Sequence, residues 1–287
     1  MSNITAPTQF LQLGEQRYAY RRFGASVGRP LLCLQHFAGT LDNWDPAITD
    51  PLAMGREVVL FESAGVGRST GQVPETVGGM AAHALMFMDG LGLSRCDVLG
   101  FSLGGMIAQE MVVDRPSAFR RMILVGTAPR GGEDIMHLEK PSLAKHFRDP
   151  GRSGYEILKG LFFAPSQSSQ AAGQAFIQRL VQRQEDREPM SGPTVVAAQM
   201  AAFREWEKVV GKRFADLKHI RQPTLVVNGV QDQLIPVWNS YQLSENLPNA
   251  VLLTYPDSGH GSLFQFPEPF TRQVKEFLAS DAAFAPY

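Results

Sequence analysis

Gly100-Phe101-Ser102-Leu103-Gly104-Gly105 stands between a strand-like run at 95–99 and a helix-like run at 106–113. The spacing G-x-S-x-G suits a sharp strand-to-helix elbow, where the backbone turns so tightly that a Cβ at Gly100 or Gly104 would clash. Such an elbow raises a serine hydroxyl above the sheet edge. It also aims the Leu103 N–H, at the start of a helix, toward any oxyanion formed there. Ser102 is therefore the candidate nucleophile. Glycines also end strands for bland reasons, and it is the strand before and the helix after that favour a catalytic serine over a structural turn serine.

Outward from the elbow, strands and helices alternate, the pattern of an α/β protein with a mostly parallel sheet and helices on both faces. Residues 9–20 read as an edge hairpin, and 30–37 and 57–61 as short buried strands. A helix is expected over 76–91, with Met80, Ala84, Phe87 and Leu91 at helical spacing. Strands follow at 122–126, 224–227 and 251–255, and a closing helix near 268–278. Residues 131–214 hold no convincing strand, but contain helix-like stretches at 168–184 and 193–209, the second with proline in its first turn. They read as a helical cap inserted over a core made of residues 1–130 and 215–287.

Composition bounds the function. The chain has 287 residues, a hydrophobic fraction of 44% and a formal net charge of −1, with charges of both signs interspersed. Nothing marks a polyanion-binding face, so nucleic acid is not an expected partner. The N-terminal stretch lacks a basic start followed by an apolar run, and no apolar run is of membrane-spanning length, which points to a cytoplasmic protein with no membrane partner. Cys33 and Cys96 fall in strand-like runs without metal spacing and read as buried, reduced thiols. The oligomeric state stays open, a homo-oligomer included.

A serine hydroxyl needs a base, and a histidine base needs an acceptor that fixes its tautomer and stabilises its charged form. His260 lies in Asp257-Ser258-Gly259-His260-Gly261, directly after the last strand, where it can reach over the sheet edge. His83, His137, His146 and His219 read as surface or satisfied histidines. The acid is expected at the end of an intervening strand: 224–227 leads to Asp232, giving the chain order Ser102, Asp232, His260 of one triad class. Asp257, Glu133 and Asp134 compete for that role, Asp257 being read as stabilising its own turn.

Four blocks, LLCLQHFAGTLDNWDP, ESAGVGRS, DVLGFSLGGMIAQ and TLVVNGVQDQLIP with DSGHGS, resemble the α/β-hydrolase superfamily, most closely its bacterial esterase and cofactor-free haloperoxidase-like branch. The resemblance covers the chain apart from the cap. It implies the α/β-hydrolase fold, with Ser102 as nucleophile, Asp232 as acid, His260 as base and the Leu103 N–H as one oxyanion donor. Aligning Gly39, Thr40 and Trp44 places Gln35 and His36 where relatives carry His-Gly, and Phe37 where the second oxyanion donor stands. His36 then either packs against the neighbouring loop or touches substrate. Glu62 replaces a common aspartate and Ala64 a frequent arginine.

The implied chemistry is an acyl-enzyme mechanism on a small-molecule ester or lactone, requiring no metal or organic cofactor. Phe37, Phe101 and Leu234 flank the proposed site from below. Of the cap aromatics, Phe162 and Phe163 are candidates to line the cleft, which would favour an apolar substrate, while most of the others hold the cap to the core. A C–C bond hydrolase or a perhydrolase would use the same triad. A non-enzymatic small-ligand receptor could share the fold. Dehalogenase relatives carry aspartate at the position of Ser102. A dinucleotide site at Gly65-Val66-Gly67 is disfavoured because the third glycine, Gly71, comes one place late.

Overall fold

Apolar runs without polar alternation, LLCL at Leu31–Leu34 and EVVLF at Glu57–Phe61 among them, are buried strands inside a sheet covered on both faces. The computed structural model describes residues 1–148 and 151–280. Its strands are β1 Gln9–Leu13, β2 Gln16–Gly24, β3 Leu31–Leu34, β4 Glu57–Phe61, β5 Cys96–Phe101, β6 Phe119–Val125, β7 Thr224–Gly229 and β8 Ala250–Tyr255. They form one sheet in the order β1-β2-β4-β3-β5-β6-β7-β8. β2 is antiparallel to β1 and β4, and the remaining pairs are parallel.

The helices are α1 Pro46–Ala53, α2 Val77–Leu91, α3 Leu103–Asp114, α4 Pro141–Ala144, α5 Gly154–Phe162, α6 Gln167–Leu180, α7 Pro193–Trp206, α8 Trp238–Asn246, α9 Ser262–Gln265 and α10 Pro267–Ala279. The step from β3 to β4 runs toward β2, whereas those from β4 to β5, β5 to β6 and β7 to β8 run the other way. Right-handed crossovers therefore put α1 on one face and α2, α3 and α8 on the other. In agreement, α1 packs on α10 and α2 on α3. The chain leaves β3 and β5 in opposite directions, and the crevice this opens at their carboxyl ends is where open α/β sheets bind ligands.

Local signals account for most element ends. The Thr76 hydroxyl caps α2 by accepting from the Gly79 N–H, and Gly92, at φ 75°, ends it in the left-handed region. The strand expected over 30–37 stops at Leu34, because residues 36–39 close a turn in which the Gly39 N–H donates to the His36 carbonyl at 3.0 Å. Gly65 and Gly67 lie in the long connection between β4 and α2 and open no helix. Cys33 and Cys96 are free and buried, and burial pushes both thiols up.

Between β6 and β7 the described residues form helices and no strand. α6 ends at Leu180 rather than near 184, and the following Arg183 guanidinium donates to the carbonyls of Asn3, Ile4 and Ala6. Phe176, Phe203 and Trp206 are buried against the core. Arg179 of α6 holds Asp45, the cap of α1, through bonds of 2.7–3.0 Å. No helix among the described residues is long and apolar enough to cross a membrane.

Candidate active site

Ser102 occupies the single residue between β5 and α3, with φ 57° and ψ −119°, a conformation that costs a non-glycine residue about 1–3 kcal/mol. The surroundings hold it there. Its N–H donates to the Val125 carbonyl of β6 at 2.8 Å, and its carbonyl accepts from the Gly105 N–H at 2.9 Å. A Cβ on Gly100 would lie 2.3 Å from the Gly104 oxygen, and one on Gly104 2.1 Å from the Leu34 oxygen, so neither position admits a side chain. The elbow is tighter than the sequence reading: the strand runs on to Phe101 and the helix starts at Leu103.

Asp232 and His260 meet over the ends of β7 and β8. Asp232 Oδ2 lies 2.7 Å from His260 Nδ1, with both side chains almost fully buried. Oδ1 accepts from the N–H groups of Leu234 and Ile235, each at 2.9 Å, which fixes the carboxylate plane. The two loops are clamped by the Gln231 N–H donating to the Ser258 carbonyl at 2.8 Å. The His260 ring leans on Phe101 at 5.0 Å between centroids and meets Phe162 at 5.4 Å. Since the carboxylate can only accept, Nδ1 carries the hydrogen and Nε2 is left with a free lone pair.

The competing acids are committed elsewhere. Glu133 pairs with Arg213 and Asp134 with Lys140, each at 2.7 Å. The Asp257 carboxylate does not serve its own turn, as the sequence suggested, but accepts from the Ser166 and Ser168 hydroxyls at the start of α6, and these bonds hold it below its ordinary value. Among the other histidines, His83 bonds the Tyr18 hydroxyl, and His137 bonds Glu139 and Glu207.

The loop after β3 supplies the facing wall. Neither the Phe37 N–H nor the Leu103 N–H donates to any acceptor among the described residues. The neighbouring Ala38, at φ 55°, donates its N–H to Gln199 of α7 at 2.7 Å. Gln35 braces the turn through the His36 N–H and the Thr40 carbonyl. Glu62 accepts from the N–H groups of Leu41 and Arg68; burial, and then the adjacent Glu188 carboxylate, raise its pKa well above the ordinary range. His36 is buried, with Nδ1 2.8 Å from the Phe37 carbonyl and its ring edge-on to Phe101 and Phe162. Burial lowers its pKa to about 4, the Phe37 carbonyl opposing the shift and His260 adding to it.

A cavity of about 440 Å³ opens at this point, bordered by Ser102, His260, His36, Phe37, Phe162 and Leu234. Phe101 and Phe163, expected at the substrate, do not border it. Phe101 is fully buried beneath His260 and His36, because it is the last residue of a central strand; Phe163 turns its ring onto Phe176. Much of the remaining wall comes from α5, with Ile157, Leu158 and Leu161, a helix that the sequence reading missed. Its signal is the capping box Ser153-x-x-Glu156, in which each side chain accepts from the other residue's N–H. Asp42, Arg187 and Glu188, also unforeseen, border the cavity within an ion-pair network that includes Arg21 and Arg68.

A family model described as alpha/beta hydrolase fold matches residues 29–267. The chain is similar to an alpha/beta hydrolase fold protein of Chitinophaga pinensis, 40% identical with a TM-score of 0.91 over 98% of this chain and 100% of that one. It is 30% identical to RutD of Caulobacter sp. strain K31, named as a candidate carbamate hydrolase, over 84% of this chain and 87% of that one. A 2-hydroxy-6-oxononadienedioate/2-hydroxy-6-oxononatrienedioate hydrolase of Pseudomonas sp. is 25% identical over 78% of each chain.

Proposed function

The chain belongs to the α/β-hydrolase fold family, and from that premise we propose that it is a serine hydrolase cleaving a carboxylic ester or lactone of an apolar small molecule through an acyl-enzyme. The observation that carries this reading is the buried Asp232–His260 pair beside a serine held at positive φ and facing the same cavity. Ser102 Oγ attacks the carbonyl carbon while its proton passes to His260 Nε2, and Asp232 stabilises the imidazolium. The N–H groups of Leu103 and Phe37 receive the oxyanion. The imidazolium returns its proton to the leaving oxygen, releasing the alcohol; His260 then draws a proton from water as its oxygen attacks the acyl carbon, and gives it back to Ser102 Oγ as the Oγ–acyl bond breaks and frees the acid.

Ser102 Oγ has no hydrogen-bond partner among the described residues, as is common for a nucleophile whose bond to the base tightens only with substrate in place. A cavity walled by α5 and by Val196 of α7 suits an apolar acyl group, and the inserted helices are assigned the choice of substrate. A carbamate presents the same carbonyl to the same groups, and the likeness to RutD favours testing one.

The test is active-site labelling with a fluorophosphonate, read by mass spectrometry, together with an ester, lactone and carbamate screen. Label on Ser102 and loss of both label and turnover in Ser102→Ala are expected. Folded protein labelled elsewhere, with Ser102 untouched, overturns the reading; tight retention of ligand without turnover would make the chain a receptor.

A further inference from the structure

His36 is a buried imidazole that borders the same cavity as Ser102, and the acyl-enzyme steps give it no task. Its Nδ1 faces the Phe37 carbonyl, which can only accept, so the ring hydrogen sits on Nδ1. Because burial keeps the ring neutral, Nε2 is a bare lone pair. That nitrogen is buried and finds no donor among the described residues, a state it shares with Ser102 Oγ in the same cavity. Its loop neighbours direct their polar groups elsewhere: the Gln35 amide donates to the Thr40 carbonyl, and the Thr40 hydroxyl to Asn43. A buried acceptor without a donor is unfavourable, and at a cavity wall a bound molecule can complete it.

The role of this acceptor follows from its chemistry. A lone pair repels a developing oxyanion, so Nε2 does not belong to the oxyanion hole that the adjacent Phe37 N–H serves. Nor is it the base, since His260 holds the carboxylate. His36 directly precedes Phe37 in the chain, and its ring meets Phe162, which in turn meets His260. It thus borders the cavity between Phe37, the proposed oxyanion donor, and the Phe162 ring, with its Cε1–Nε2 edge toward Gly39.

We infer that the substrate carries a hydrogen-bond donor, a hydroxyl or an N–H, on the carbon adjacent to the scissile carbonyl, and that His36 Nε2 accepts it. This rests on the serine hydrolase reading and narrows it to α-hydroxy or α-acylamino acyl compounds. A site built around a bare acceptor discriminates strongly, because a substrate lacking the donor leaves the acceptor stranded.

Three ethyl esters test it: octanoate, α-hydroxyoctanoate and α-methoxyoctanoate, the last retaining the oxygen but unable to donate. The wild-type protein should prefer the hydroxy over the methoxy ester by about tenfold or more in kcat/KM. In His36→Asn, whose amide can still donate to the Phe37 carbonyl but offers nothing at the Nε2 position, that ratio should fall close to one. A merely structural role for His36 would lower all three esters together and leave the ratio alone. Equal wild-type rates for the hydroxy and methoxy esters, or an unchanged ratio in His36→Asn, overturn the inference while label on Ser102 leaves the hydrolase reading standing. Absence of both label and turnover overturns both. Should His36→Asn fail to fold, the nitrogen NMR shift of His36 in Ser102→Ala decides: it moves upfield when the α-hydroxy ester binds, and no movement refutes the contact.

Discussion

The carboxyl edge of the sheet and the helices inserted between β6 and β7 are built by different rules. At the sheet edge, short-range constraints dominate: Gly100 and Gly104 because no Cβ fits, Ser102 at positive φ because β6 and α3 hold it, and Asp232 pinned by two N–H groups of its own loop. The inserted helices are placed by long-range contacts instead, the Arg179–Asp45 pair, the Arg183 guanidinium on three N-terminal carbonyls, and the Trp206 indole N–H on the Ala128 carbonyl. The division is not complete. Phe162 of α5 packs on the His260 ring and accepts the Gly261 N–H at 2.8 Å, and Gln199 of α7 accepts from Ala38, next to Phe37. The inserted segment thus touches the proposed chemistry at two points while forming much of the cavity wall.

The largest expected effect tests the sheet edge. Asp232→Asn keeps an oxygen for the Leu234 and Ile235 N–H groups but turns an amide toward His260, which favours the wrong imidazole tautomer. We expect kcat to fall about 10⁴-fold on any ester with the fold intact. His260→Ala should do at least as much, whereas Glu133→Gln, which disturbs only the Arg213 pair, should leave turnover near normal. Steady-state kinetics alongside circular dichroism would check all three. A large loss in Glu133→Gln with little in Asp232→Asn would move the acid to the preceding strand.

This contrast also explains what was legible in the sequence. G-x-S-x-G, Asp232 after a β-branched run and His260 after the last strand are local patterns, and the structure pairs Asp232 with His260 and puts His260 on the cavity that Ser102 borders. The sheet was equally readable, since its central strands carry short apolar runs, VVLF, LLCL, VLGF and MILV. The cavity wall was not. Phe162 and Phe163 are adjacent aromatics with the same composition signal, yet one borders the cavity and the other packs on Phe176, a difference set by where α5 ends. The ion pairs that seat the insertion join residues more than a hundred positions apart and leave no periodic trace.

The next effect falls on stability. Arg179→Met would strip the guanidinium from Asp45, whose side chain is fully buried and retains only its cap bond to the Ala47 N–H. An unpaired buried carboxylate is costly, and with Arg179 itself partly exposed the loss should be about 2–3 kcal/mol in chemical denaturation. Adding Asp45→Asn should recover part of it, because the stranded charge disappears. Turnover of a small acetate ester should change much less than stability. A large loss of turnover without a loss of stability would mean that α6 supports the catalytic groups rather than the wall.

The smallest effect is the sharpest probe of the division, and it uses aliphatic wall residues rather than the ring that meets His260. Leu158 on α5 and Val196 on α7 both border the cavity, and neither ring contacts nor hydrogen bonds tie them to Ser102, Asp232 or His260. On the proposed reading, shortening either side chain to alanine enlarges the space for the acyl chain and leaves Ser102, His260 and the Leu103 and Phe37 N–H groups where they are. The preferred chain should therefore lengthen by one or two methylenes, with discrimination between neighbouring lengths shifting by about 1–2 kcal/mol, because that is what one methylene is worth in an apolar pocket. Acetate turnover should stay within about twofold, since so short an acyl group does not reach the altered wall. Phe162→Ala serves as the opposing case: it removes a ring that supports His260 as well as a piece of wall, so it should lower every ester, acetate included. A series in which Leu158→Ala, Val196→Ala and Phe162→Ala all depress every chain length equally would show that the inserted helices act on the chemistry throughout, and that substrate choice is made elsewhere.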